Sequence, residues 1–290
     1  MKKTLLNTEV KFQDQKFQLM NIIKLNSKAA QKLSVAQLFN GTFKEVGRPI
    51  SKNDGYDLSY FIDRFFINKK LSEDLMSFES FLNETLKEKI VLIDGEAGMG
   101  KSTILTHAAL KLKEKFKDHW ILRVDLHKKF EAIKVNQVCV VSLLIDHFGE
   151  INNEFEKILM LEFLDDGKII LMLDGVDEIS PFLSENFERI MKEFRALPFK
   201  QIWLTTRPHL VAAMEKKYET TSWQMNRFER DTQINFLVKY WKSNLKDKSF
   251  AEVNATLTAF ATDLADFMSQ STKDTLFRLI EIPLQAEMFA

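Results

Sequence analysis

Five short apolar runs punctuate this chain: Lys89–Asp94 (KIVLID), Trp120–Leu126 (WILRVDL), Lys168–Asp174 (KIILMLD), Gln201–Thr206 (QIWLTT) and Thr221–Met225 (TSWQM). The third is apolar from its second residue until its last. Such an unbroken run predicts a strand covered on both faces, as in a parallel sheet. Helical spacing separates the runs. Leu105, Ala108, Ala109, Leu112 and Phe116 share one helical face, Phe155, Ile158, Leu159 and Phe163 share another, and Phe187–Phe194 is a third helix. Val135–Phe148 is helical in part. From Glu229 the pattern is helical to the end, with Ile234, Leu237, Val238 and Trp241 on one face and Phe250, Val253, Leu257, Phe260, Leu264 and Met268 on another. Strands alternating with helices predict a doubly wound α/β domain whose ligand lies beyond the carboxyl ends of the strands.

The N-terminal quarter reads differently. Val10, Phe12, Phe17, Leu19, Ile22 and Ile23 give the mixed alternation of one or two strands. Ser27–Phe39 predicts a short helix stopped at Asn40-Gly41, and Gly41–Tyr56 carries turn residues. The aromatic-rich Tyr56–Phe66 reads as packing. Leu71–Glu88 predicts one helix from Leu75, Phe78, Phe81, Leu82 and Leu86. The expected organisation is a small α+β unit over 1–70, a main domain over 71–245 and the start of a helical arm over 246–290.

Composition removes several classes. The 41 Lys and Arg balance 41 Asp and Glu, so no overall positive field draws nucleic acid or an anionic membrane. The single cysteine, Cys139, cannot form an internal disulfide or a thiolate metal cage and reads as a small buried hydrophobe. No apolar run approaches the length of a membrane span, and no secretory h-region follows Lys2 and Lys3. The expected compartment is the cytoplasm.

The chemistry begins after the first strand. Gly95-Glu96-Ala97-Gly98-Met99-Gly100-Lys101-Ser102-Thr103 carries the phosphate-loop spacing G-x-x-x-x-G-K-[ST] between a strand and a helix. Glycines let successive N–H groups turn toward a phosphate, and the helix start adds its positive end. Lys101 supplies a full charge for β- and γ-phosphates, and the Ser102 hydroxyl suits Mg²⁺.

A second motif, Leu173-Asp174-Gly175-Val176-Asp177-Glu178, follows the third strand. A carboxylate at the tip of a buried strand demands a cation, so Asp174 is the candidate for Mg²⁺, held through water opposite Ser102. Asp177 or Glu178 is placed to polarise an attacking water as general base. Arg207, directly after the fourth strand, suits either a γ-phosphate oxygen or a salt bridge to Asp177 or Glu178. Thr205 and Thr206 are either γ-phosphate reporters or plain strand residues.

Together GEAGMGKST, LMLDGVDEI and WLTTRPH resemble the NACHT domain of the STAND class of P-loop NTPases, with the DGxDE form as the most specific element. The resemblance implies a five-stranded, mainly parallel sheet in the order 5-1-4-3-2. It implies an ATP/ADP-bound, Mg²⁺-dependent switch with slow hydrolysis that self-associates and serves a signalling partner, many relatives acting in innate immunity. Ile282-Pro283-Leu284 resembles the family's proline motif, which places Pro283 against the adenine. The chain stops at Ala290, a few residues on, so a fragment of a longer protein is expected. An AAA-like motor with rapid turnover is the alternative. A nucleotide kinase is disfavoured, because no lid segment with clustered arginines is evident.

Overall fold

A computed structural model describes residues 9–12, 15–18, 60–68, 70–134, 139–151, 154–244, 250–270 and 281–289. The helix expected over Ser27–Phe39 and the whole turn-rich stretch Gly41–Tyr56 lie outside the described residues. The alternation around Val10 and Phe17 is a two-stranded antiparallel pair, β1 (Glu9–Phe12) with β2 (Gln15–Gln18).

The main sheet has seven strands: β3 (Phe65–Asn68), β4 (Ser72–Ser77), β5 (Ile90–Asp94), β6 (Trp120–Asp125), β7 (Ile169–Asp174), β8 (Gln201–Thr206) and β9 (Ser222–Met225). They lie side by side in the order β4-β3-β9-β5-β8-β7-β6. The five strands from β9 to β6 are parallel and follow the order that the family resemblance implies. The count of five is corrected to seven, because the antiparallel hairpin β3–β4 extends the sheet beyond β9.

That hairpin also corrects the single helix expected over Leu71–Glu88. Residues Ser72–Ser77 pair with β3, Phe66 opposite Met76 and Phe65 opposite Ser77. Only α1 (Phe78–Thr85) is helical, started by the Ser77 hydroxyl accepting the amide of Ser80. Leu75, which had completed the helical period, is exposed on the strand. The boundary expected near residue 70 therefore falls inside a hairpin of the sheet.

Seven further helices follow: α2 (Lys101–Lys115), α3 (Glu154–Asp165), α4 (Val176–Ala196), α5 (Pro208–Tyr218), α6 (Arg230–Asn244), α7 (Phe250–Gln270) and α8 (Pro283–Phe289). Shorter helical turns occupy 127–134 and 140–148. Helix α4 starts immediately after Gly175 rather than near Phe187, so Asp177 and Glu178 sit in its first turn. Cys139 is exposed rather than buried.

The central strands β5, β7 and β8 are buried at every residue, and alternate side chains enter different cores. Ile90 and Leu92 of β5 face one core with Leu171, Leu204 and Phe194 of α4. Val91 and Ile93 face the other with Met172, Trp203, Phe81 of α1 and Leu105 of α2. A third cluster joins Phe236 and Leu237 of α6, Ala261 and Ala265 of α7 and Ala286 of α8. Truncating any fully buried Leu of these strands to Ala would cost roughly 2–5 kcal/mol. The carboxyl ends of the parallel strands are thus held rigidly, and the loops that leave them carry the chemistry. No helix among the described residues is long and apolar enough to cross a membrane.

Candidate functional site

The loop after β5 is built on two glycines in the left-handed region, Gly98 at φ +77 and Gly100 at φ +85. A side chain is strained at both, which is why the loop requires glycine there. The amide of Gly95 donates to the carbonyl of Thr206 at 3.3 Å, tying the loop to β8. Met99 is buried in the core beneath, so its side chain anchors the loop and leaves the backbone to face the cleft. Helix α2 then starts at Lys101, whose first-turn amides have no partner within the helix.

A cleft of about 500 Å³ lies against this loop. Ala97 through Thr103 line it, Lys101 and Ser102 among them. Asp174, Asp177, Glu178, Arg207 and Pro283 line it too. The two motifs and the proline, distant in sequence, therefore meet in one cavity. Gly95 and Glu96 do not line it; the Glu96 carboxylate is engaged by Arg227 instead, at 2.6 Å.

The Lys101 ammonium donates to the carbonyls of Gly95 (2.7 Å) and Glu96 (3.0 Å), across its own loop. Burial depresses its pKa, and the Asp177 carboxylate pulls the other way. Asp177, buried, forms an ion pair with Arg207, its Oδ2 lying 2.8 Å from Nε. Of the two partners open to Arg207 on sequence grounds besides phosphate, Asp177 is the one it meets. Glu178 lies nearer solvent, 4.0 Å from His127 Nδ1. Burial first, and then the Asp177 charge, hold the Glu178 carboxyl above the usual glutamate range. A base with a raised pKa accepts a proton more readily.

Asp174 is buried and its two oxygens are differently used. Oδ2 accepts from Arg123 Nη2 at 2.8 Å, and Oδ1 accepts from the Thr205 hydroxyl at 2.6 Å. The same Thr205 oxygen accepts the amide of Gly175 at 2.8 Å. The cation that a buried carboxylate demands is thus supplied by β6. Thr205 orients Asp174, while Thr206, also buried, presents a hydroxyl with no hydrogen-bond partner.

Among the described residues no group of three or more His, Cys, Asp or Glu is arranged to hold a metal unaided. A hydrated Mg²⁺ asks for less, namely one hydroxyl, a carboxylate reached through water and the oxygens of a bound phosphate. Ser102 and Asp177 both line the cleft, and Asp177 Oδ1 is buried without a hydrogen-bond partner. That donor set fits such an ion.

Sequence reasoning missed part of the cleft. Tyr60, Phe61, Ile62 and Arg64 line it, with Phe228 and Phe236. Phe61 stacks on His107 of α2 at 4.1 Å, which fixes this segment against the phosphate-loop helix. Arg64 is almost fully buried, lies 4.3 Å over the Phe228 ring and donates to the Asn226 carbonyl at 2.6 Å. Its Nε and Nη1 have no hydrogen-bond partner, and burial lowers its pKa to about 10. The signal available was an arginine inside an aromatic run, read as packing. Arg123 carried a similar signal, a charge inside an apolar strand.

Residues 89–244, just over half of the chain, match the model of the NACHT domain family. No curated protein matches the sequence. Among solved structures, C. elegans PCH-2 is similar at 11% identity and TM-score 0.39, over 73% of this chain and 66% of that one. This chain thus spans slightly less than two-thirds of that protein's length. Domain III of the Thermotoga maritima replication initiation protein DnaA is similar at 13% identity and TM-score 0.34, over 70% of this chain and 87% of that one.

Proposed function

The chain belongs to the NACHT domain family of STAND-class P-loop NTPases, and from that premise we propose that it is a slow ATP/ADP switch rather than a motor. The observation that carries this reading is the ion pair between Arg207 and Asp177 in the cleft that Lys101 also lines. The arginine suited to a γ-phosphate oxygen is already paired with this acid through Nε and Oδ2. In this reading Arg207 parts from Asp177 as it turns to the phosphate, and Asp177 takes it back afterwards. Each turnover then carries the cost of parting a partly buried charge pair, which favours retention over rapid cycling.

In this reading the amides of Gly98–Ser102 cradle the phosphates and Lys101 moves from its loop carbonyls to the β- and γ-phosphate oxygens. Ser102 holds Mg²⁺, with Asp174 reaching it through water; when bound, that ion neutralises charge developing on the transferred phosphoryl group. Glu178, with its raised pKa and its exposure, is the general base, and Asp177 holds Arg207 until closure. The apolar wall of Tyr60, Ile62 and Phe228 with Pro283 receives the adenine. The nucleotide-binding unit then runs from about residue 60, since the wall and hairpin β3–β4 belong to it. Conformational change follows from α8, which touches the phosphate loop directly. Self-association and a signalling role, including one in innate immunity, complete the proposal on the ground of family membership.

The test uses the full chain. Tight ADP retention is expected, with ATP turnover far below about 1 per second, the low end of ordinary enzymes. Turnover above that value, stimulated by an added macromolecule, would establish the motor instead. Lys101→Ala should abolish binding while leaving the melting temperature of the nucleotide-free protein within a few degrees.

A further inference from the structure

We infer that Arg123 is a resident counter-ion for the acidic strand, competing with divalent metal for Asp174 and making diphosphate binding nearly independent of metal. This rests on the nucleotide-switch reading above and concerns a residue that no motif marks.

The geometry is specific. Arg123 lies on β6 opposite Met172 of β7, two residues before Asp174. Side chains two apart on a strand share a face, so Met172 and Asp174 point to the same side. That side is the one covered by α2 and the phosphate loop. Arg123 Nη2 is 2.8 Å from Asp174 Oδ2, with side-chain exposures of only 8% and 6%. Thr205 takes the other oxygen at 2.6 Å. Both oxygens of the acid are thus hydrogen-bonded, and its charge is neutralised inside the protein.

The chemistry decides the consequence. A carboxylate oxygen has two acceptor sites, so Asp174 still has room for a metal-bound water. What it has lost is net charge. A Mg²⁺ ion arriving within a few ångström meets an arginine as well as the acid, and in a poorly screened interior the repulsion offsets the attraction. Arginine cannot escape by deprotonating, as a buried lysine can. Displacing the guanidinium from Asp174 would break a buried, charge-assisted pair, which is costly. The metal is therefore held mainly by Ser102 and by the nucleotide's own phosphates. A triphosphate, offering a γ-oxygen, binds metal well; a diphosphate offers less. The ADP-bound form is then stable without metal.

The experiment measures the dissociation constant of ADP for the full chain in EDTA and in saturating Mg²⁺. For the wild type the ratio of the two is expected within about threefold, and for Arg123→Gln at about tenfold or more, an ordinary coupling between two ligands. Glutamine keeps a donor to Asp174 but removes the charge, so a purely structural role would weaken both constants and leave the ratio unmoved. Arg123→Lys keeps the charge on a shorter stem and should fall between the two. Should the glutamine variant fail to fold, the lysine variant carries the test, and a ratio equal to the wild type overturns the inference. A wild-type ratio already above tenfold, or equal ratios in wild type and Arg123→Gln, also overturn it. A wild-type chain that binds no ADP in either condition overturns the switch reading and this inference together.

Discussion

The backbone amide of Leu284 donates to the carbonyl of Gly98 at 3.3 Å, so the C-terminal helix α8 is hydrogen-bonded to the phosphate loop itself. A Cβ at Gly98 would lie 3.1 Å from Leu284 Cβ and 3.1 Å from Ile282 Cγ2. A side chain at Gly98 is tight against both, so Ile282 and Leu284 would have to give way by a few tenths of an ångström. The loop after β5 and helix α8 therefore share a surface.

Gly98→Ala should act on both. The left-handed backbone opposes a side chain by about 1–3 kcal/mol, and the new methyl pushes against Ile282 and Leu284. Denaturant unfolding should show a loss in that range. Hydrogen exchange should show faster exchange over 283–289 than in the wild type.

A second tie between loop and arm is Arg227, which reaches Glu96 at 2.6 Å and Glu281 at 3.0 Å. These groups are partly exposed, so Arg227→Ala should cost less than about 1 kcal/mol of global stability. Its local effect should be larger, with limited proteolysis cutting near residue 281 several times faster. Unchanged cleavage would mean that Leu284 and Gly98 suffice to seat the arm.

Arg207→Ala strands the buried Asp177 carboxylate, whose other oxygen already lacks a hydrogen-bond partner. The expected loss is about 1–3 kcal/mol, at the lower end because the arginine itself is half exposed. Asp177→Asn added to it should restore much of that stability. A double-mutant cycle that shows plain additivity would deny the pair its energetic coupling.

Glu178→Gln should leave nucleotide binding unchanged and slow hydrolysis about 10²-fold or more, the usual worth of a positioned general base. Single-turnover assays with ATP decide it. Unchanged hydrolysis transfers the base role to Asp177.

Stability should depend on pH through a residue far from the site. Burial raises the Glu88 carboxyl from 4.5 to about 7, against the pull of the Trp223 Nε1 hydrogen bond at 3.0 Å. Between those two values the folded protein holds a proton that the unfolded chain has lost. The stability this contributes is full below pH 4.5 and is lost as pH rises toward 7. Glu88→Gln should remove that decline and stabilise the protein at pH 8 by about 1 kcal/mol, after allowance for solvent screening. A melting temperature with the same pH slope in both proteins would assign the decline elsewhere.

The strand, loop and helix from Ile90 to Lys115 were legible in the residues, because each constraint there is local. Glycine alone fits φ +77 and φ +85, the lysine and serine follow at fixed offsets, and an unbroken apolar run suits a strand buried on both faces. The acidic segment after β7 was legible for the same reason, whereas the order of the parallel strands came only from the family resemblance. What the linear pattern left undecided was which charge meets which. Arg123 and Asp174 are 51 residues apart, and Arg227 and Glu96 are 131 apart. A buried acid announces that it needs a cation, but the identity of that cation depends on which strand lies beside it, and strand neighbours are chosen by the packing of the whole sheet. The hairpin β3–β4 shows the same limit, since Leu75 and Phe78 fit a helical period as well as a strand followed by a helix. Pairing with Phe65 and Phe66, not local preference, decided between them, and it carried Tyr60 to Arg64 to the cleft where no motif had placed them.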